Sequence, residues 1–208
     1  MPNRREQILQ AALQLLADHG YHGTSMRKIA AKVGIRESAI YNHFKNKEEL
    51  FEAILQTYFS DPLESFFAGR DLFEAAKRGK AFLEEFVEFY KELSFDKEQQ
   101  RLLKIMLIEL IPNRKLRHIF LRHCFDTPKK PLATIFFAMM QENLIRSDDP
   151  NLTAFEFISP LCSLRLQILL LDLDGAASSP MALQFDRHVS FFWECIAICG
   201  LPERHAPL

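Results

Sequence analysis

The sequence predicts an all-α protein, a three-helix head followed by a larger helical bundle, and three observations carry that reading. Apolar residues recur at spacings of three and four along most of the chain, the period of an amphipathic helix. Alternation of apolar and polar residues is scarce, no β-rich segment or internal repeat stands out, and the 208 residues include only seven glycines. Phenylalanine divides the chain: of nineteen, Phe44 alone lies within residues 1–50 and eighteen lie beyond. A hydrophobic fraction of 48% over this length supports a substantial core and excludes wholesale disorder.

Taken in order, Ile8, Ala11, Ala12, Leu15 and Leu16 form one face of a first helix, and Gly20 and Gly23 bracket the turn after it. Thr24 is the expected N-cap of a second helix, in which Ile29, Ala30 and Val33 keep helical spacing. Gly34 ends it, Ile35 follows as an apolar anchor, and Ala39, Ile40 and Phe44 resume the period. Beyond residue 46 the spacing predicts helices over about 47–59, 72–94, 97–111, 114–123, 128–146, 153–173 and 181–199. The first of these follows the head without a flexible linker. Thr127-Pro128, a Thr153/Glu156 capping box and Ser179-Pro180 read as helix starts, and Pro112-Asn113 and Gly175 as ends. Pro160 either kinks the helix of 153–173 or restarts it with Ser159 as cap.

Two helices around a glycine turn, the second with a donor-rich outer face, form a helix-turn-helix, a motif that lays its second helix in the DNA major groove. Arg36 at the entry to that helix can fork onto guanine or clamp a phosphate. Ser38, Asn42 and His43 can reach backbone or base edges, and the small Ala39 lets the helix approach closely. Glu37 can accept from a cytosine amino group, but its place at the helix start favours the simpler reading that it complements the helix dipole. Arg27 and Lys28 are phosphate candidates, as are the N–H groups of the helix start at Thr24. Charge agrees with this reading. Residues 1–50 hold eight Lys/Arg against five Asp/Glu, whereas the rest hold eighteen against twenty-two, so a net charge of −1 conceals a basic head.

Residues 5–51 resemble the DNA-binding domain of the TetR family of bacterial transcriptional regulators. The resemblance rests on REQILQAALQLLADHGYHGTSMRKIAAKVGI and on AIYNHF followed by KNKEEL, whose Tyr41, Phe44, Lys47 and Leu50 have the most specific spacing. It implies a helix-turn-helix DNA-binding domain at 1–46 and a helical effector-binding and dimerisation domain at 47–208. It implies phosphate contacts from Tyr41 and Lys47. It implies a homodimer built by the last two long helices, with Leu164, Ile168, Leu171, Phe191, Phe192, Trp193 and Ile196 as interface candidates. It also implies a pocket for a small-molecule effector. Phe86, Phe89, Tyr90, Met106, Phe120, Phe137 and Met140 are candidate linings suited to an apolar ligand, as are Phe66, Phe67, Phe82, Phe125 and Phe136. The expected protein is a repressor that binds an inverted-repeat DNA operator as a homodimer and is released when ligand favours another state of the body.

Other classes are weaker. No glycine-rich phosphate loop or nucleophile elbow is present, so no enzyme and no cofactor is expected. Cysteines at 124, 162, 195 and 199, with a polar N-terminus, read as reduced thiols of a cytoplasmic protein. The most apolar stretch, Leu164 to Leu173, is interrupted by Arg165, Gln167 and Asp172, so no membrane contact is expected. Two alternatives remain: a metal or redox sensor using Cys195, Cys199 and His188, and an all-α interaction module without DNA.

Overall fold

The computed structural model describes residues 3–112, 114–122 and 126–198, and the regular elements among them are helices apart from one isolated bridge. Its helices are α1 (Arg4–Gly23), α2 (Met26–Val33), α3 (Glu37–Ile40), α4 (Lys47–Leu55), α5 (Asp61–Phe67) and α6 (Leu72–Lys77). There follow α7 (Lys80–Phe95), α8 (Lys97–Glu109), α9 (Arg114–Leu121), α10 (Thr127–Gln141), α11 (Pro150–Leu173) and α12 (Ala182–Ile196). A π-helical turn, Gln56–Ser60, joins α4 to α5, and a 3₁₀ turn, Ser179–Met181, precedes α12. The chain divides into two compact units: Met1–Phe66 with Leu93–Cys124, and Phe67–Glu92 with Phe125–Leu208.

In the first unit α1 begins with a reciprocal cap. The Asn3 side chain accepts from Glu6 N–H at 2.9 Å, and the Glu6 carboxylate accepts from Asn3 N–H at 2.9 Å. One face of α1 (Ile8, Leu9, Ala12, Leu13, Leu16) is buried against Ile29 of α2, Ile40 of α3, Phe44, and Leu50, Phe51 and Ile54 of α4. Leu102, Ile105 and Met106 of α8 complete the same core, and α1 packs directly on α8. Each fully buried Leu, Ile or Phe contributes roughly 1.5–3 kcal/mol, so this shared core decides where the short α2 and α3 lie. Neither is long enough to be stable alone.

In the second unit α10 packs on α6 and α11, and α11 on α12. An aromatic cluster fills the centre: Phe157 lies 5.0 Å from Phe192, 5.7 Å from Phe136 and 6.0 Å from Phe86 between ring centroids. Arg165 is buried beside it, its guanidinium 5.9 Å from the Tyr90 ring centroid.

Several element boundaries differ from those read in the sequence. The expected helix of 72–94 is broken at Gly79, whose φ of 55° lets the chain turn where the Trp193 ring packs. The helix expected to reach 146 stops at Gln141, because Asn143 takes φ 57° and Ile145 pairs with Ala197 in an isolated antiparallel bridge. The same bridge ends α12 at Ile196, short of 199: Arg146 N–H donates to the Ile196 carbonyl at 2.9 Å. Helix α11 starts earlier than expected, capped by Asp149, and Thr153 donates its hydroxyl to the Asp149 carbonyl instead of capping. Pro160 sits inside α11, and Ser159 donates back to the Phe155 carbonyl at 2.7 Å and caps nothing.

One exclusion also changes. By length and composition α11 is long and apolar enough to cross a bilayer. Its place in the unit accounts for that composition: Ala154, Phe157, Ile158, Leu161, Ile168 and Leu169 are buried against α10 and α12 neighbours.

Candidate DNA-binding surface

The turn between α2 and α3 is built by Gly34 at φ 74°, ψ 33°, with Gly34 N–H donating to Ala31 and Ile35 N–H to Ala30 carbonyls. The α3 helix that follows is a single turn, with Arg36 at its N-cap. Its inner side chain, Ile40, and Phe44 beyond it are buried, as the spacing predicts. Its outer side chains, Arg36, Glu37, Ser38, Asn42 and His43, are exposed, and Tyr41 is 49% exposed although aromatic. Ala39 is half-buried. Of the residues read as base and phosphate contacts, those from Arg36 to His43 thus lie close together in the chain and all but Ala39 are exposed. Arg27 and Lys28 of α2 are exposed as well, with Lys28 Nζ donating to the Gly23 carbonyl at 2.7 Å.

Two residues of the set behave differently. Thr24 does not cap α2: Ser25 does, accepting from Lys28 N–H at 3.3 Å. Thr24 is 2% exposed and its hydroxyl donates to the Gly20 carbonyl at 2.9 Å, so its side chain serves the turn and not a ligand. Lys47 is half-buried. Its Nζ donates to the Tyr21 and Thr24 carbonyls at 2.8 and 3.0 Å and lies 4.0 Å from the Tyr21 ring centroid. In this structure Lys47 ties the start of α4 to the α1–α2 turn.

Sequence reasoning missed the partners of that tie. The Tyr21 hydroxyl donates to Glu48 at 2.8 Å. Burial, with Glu48 beside it, pushes the phenol above its ordinary pKa, and the same hydrogen bond holds the Glu48 carboxyl below its own. Tyr21 N–H donates to the Glu109 carboxylate at 3.0 Å. A tyrosine between two helix-breaking glycines, and one acid within the apolar run LLKIMLIEL, were the available signals.

The effector candidates are split between the units. Met106 is fully buried and Phe120 partly buried on the core of the first unit, so both serve packing there. Phe86, Tyr90 and Met140 are buried in the second unit, Phe89 is half-buried and Phe137 is 48% exposed. None of them lines the open groove of about 350 Å³ between α11 and α12, which is formed by Pro160, Ser163, Leu164, Gln167, Gln184, Arg187, His188 and Phe191.

Two interface candidates, Leu164 and Phe191, do line that groove, and Phe191 is 67% exposed. Ile168 and Phe192 instead point into their own unit and are buried there, and Trp193 packs over Gly79. Leu171 and Ile196 are half-buried. His188 on the groove wall hydrogen-bonds the Phe157 carbonyl through Nε2 at 2.8 Å and stacks on Phe157 at 5.5 Å. Burial pushes its pKa down, against the opposing effect of that hydrogen bond. Among the described residues no group of three His, Cys, Asp or Glu side chains is placed to hold a metal. Cys124, Phe125 and Cys199 lie outside them.

A short helix after a glycine turn, its inner side packed in the core that α1, α2, α4 and α8 share, is the arrangement of a helix-turn-helix head. Residues 8–54 match the family described as "Bacterial regulatory proteins, tetR family". The transcriptional repressor KstR2 of Mycolicibacterium smegmatis is 39% identical over 56 residues, 27% of this chain and 27% of that protein. The match thus spans about a quarter of that relative's length. SmeT, the repressor of the Stenotrophomonas maltophilia multidrug efflux pump SmeDEF, has the same fold, with a TM-score of 0.69 over 99% of this chain and 96% of that one at 18% identity. A TetR transcription regulator from Haloarcula marismortui gives 0.72 over 93% and 98% at 16% identity. The head thus matches the tetR family over residues 8–54, and the chain as a whole shares its fold with the SmeT repressor and the Haloarcula regulator.

Proposed function

We propose that the protein is a sequence-specific DNA-binding regulator of transcription, a cytoplasmic repressor that binds an inverted-repeat operator as a homodimer and is released by a small, largely apolar ligand. The observation that carries this is the exposed set Arg36, Ser38, Tyr41, Asn42 and His43, on the single turn α3 and the residues flanking it, beside Ile40 and Phe44, which are fully buried. Residues 1–46 are the reading domain and residues 47–208 supply effector binding and dimerisation. One head reaches too few base pairs for a genome, and two-fold pairing supplies the second half-site. The groove of α11 and α12, with Phe191 and the exposed Leu166, Leu170 and Leu183 on the same helices, is the apolar surface that supports the dimer. Phe86, Phe89, Tyr90, Phe137 and Met140 remain the effector candidates, since all belong to the second unit.

The test is selection of bound sequences from random duplex DNA by the full-length protein at moderate salt. An enriched inverted repeat is the expected result, and folded protein that enriches nothing overturns the reading. Arg36→Ala should weaken binding to that repeat by about 1–3 kcal/mol if the guanidinium forks onto a guanine, with the thermal midpoint unchanged. Tyr41→Phe should weaken it less, by the loss of one hydroxyl contact.

A further inference from the structure

We propose that Glu109, the last residue of α8, is a positioning residue for DNA binding, holding through Tyr21 the turn that aims α2 and α4. The inference rests on the DNA-binding reading and adds to it a residue far from the reading helix in sequence. Glu109 is 6% exposed, and a carboxylate is buried without penalty only when something donates to it. The donor is the Tyr21 N–H, 3.0 Å from Oε1 and 88 positions away in the chain. That N–H is released from the α1 ladder by Gly20, whose φ of 68° turns the backbone out of the helix.

Tyr21 is gripped from the other side by α4. Its carbonyl accepts from Lys47 at 2.8 Å, its ring lies under the same ammonium, and its hydroxyl donates to Glu48. The end of α8 is fixed in turn by α9, where Arg117 donates to the Leu110 and Ile111 carbonyls at 3.0 and 2.6 Å. One residue thus receives α8 at its N–H and α4 at its carbonyl, ring and hydroxyl. Ser25, four residues on, caps α2. A shift of the α1–α2 turn against α8 takes a donor away from a buried carboxylate, and that restraint adds to the shared core in setting the start of α2, with Arg27 and Lys28 on it. Without Glu109 the Lys47 contacts and the apolar packing of α1 on α8 persist, and the Tyr21 turn loses its polar tie to α8.

The test compares full-length wild type, Glu109→Ala and Glu109→Gln on the inverted repeat selected by wild type, together with exchange of the Tyr21 amide proton. Alanine removes the acceptor, whereas glutamine keeps an oxygen at the same reach. The expected result is a loss of about tenfold in affinity for Glu109→Ala, the scale of a hydrogen bond to a charged group, with faster Tyr21 exchange and recovery of both by Glu109→Gln. Affinity in Glu109→Ala within about twofold of wild type, or a glutamine variant as weak as alanine, overturns the proposal. A role confined to stability would lower the thermal midpoint and leave affinity, measured well below it, unmoved. Should Glu109→Ala not fold, Glu109→Asp, which retracts the carboxylate by one methylene, is judged by the criteria set for alanine. Wild type that selects no duplex overturns the DNA-binding reading first, and this role with it.

Discussion

Gly34 separates backbone cost from packing cost. Its φ of 74° is left-handed, and a Cβ built there meets nothing within 4 Å. Gly34→Ala should therefore cost about 1–2 kcal/mol through conformation alone, read as a lower denaturant midpoint, and Gly34→Asn less. His188 carries a pH dependence of defined sign. Its folded pKa is depressed, chiefly by burial, so the unfolded chain binds the proton more readily. The stability it contributes is present above the ordinary histidine value and is lost as pH falls through the folded pKa. The thermal midpoint should drop on acidification across that window, and His188→Gln should flatten that part of the profile. A wild-type and variant profile of equal slope would contradict this.

Helices were legible in the sequence wherever one face is apolar over several turns, as in α1 with Ile8, Ala12 and Leu16, and wherever a left-handed glycine ends the pattern, as at Gly34. What was not legible depends on contacts between elements distant in sequence. Gly79 within an apolar run resembles a tolerated helical glycine until Trp193 is placed against it. Asn143 ends α10 because residues after α12 return to pair there, which no local window contains. The outer row of the reading helix was visible from spacing, yet the roles of Thr24 and Lys47 changed once Tyr21 was placed between them. Gly79→Ala should cost more than Gly34→Ala, because it adds to the left-handed strain a Cβ 3.1 Å from the Trp193 ring. Denaturant titration of the two variants side by side checks the order.

For the molecule as a whole, the proposed dimer and the proposed operator binding should fail together. Phe191→Glu places a charge in the exposed α11–α12 groove and should shift the protein from dimer to monomer in sedimentation. Affinity for the full inverted repeat should then fall toward that for a half-site, while the helical content is kept. Binding to the repeat should also weaken steeply with salt, since each phosphate contact releases counterions. A salt-independent affinity would argue against phosphate contacts from Arg27, Lys28 and Tyr41.

The composition of the first unit constrains how such a regulator is rewired. Leu102, Ile105 and Met106 share a core with Ile8, Leu16 and Ile54, although the 41 residues 56–96 intervene between α4 and α8. A chimera that joins this head to a foreign body at residue 46 would leave that apolar surface bare and the Tyr21 amide without its acceptor. Exchanging specificity between regulators of this build therefore means transplanting α8 along with the first four helices, or recoding only the outer row of α3 in place. The second route touches no buried side chain, so the reading surface can diverge between copies of such a protein faster than the scaffold that presents it.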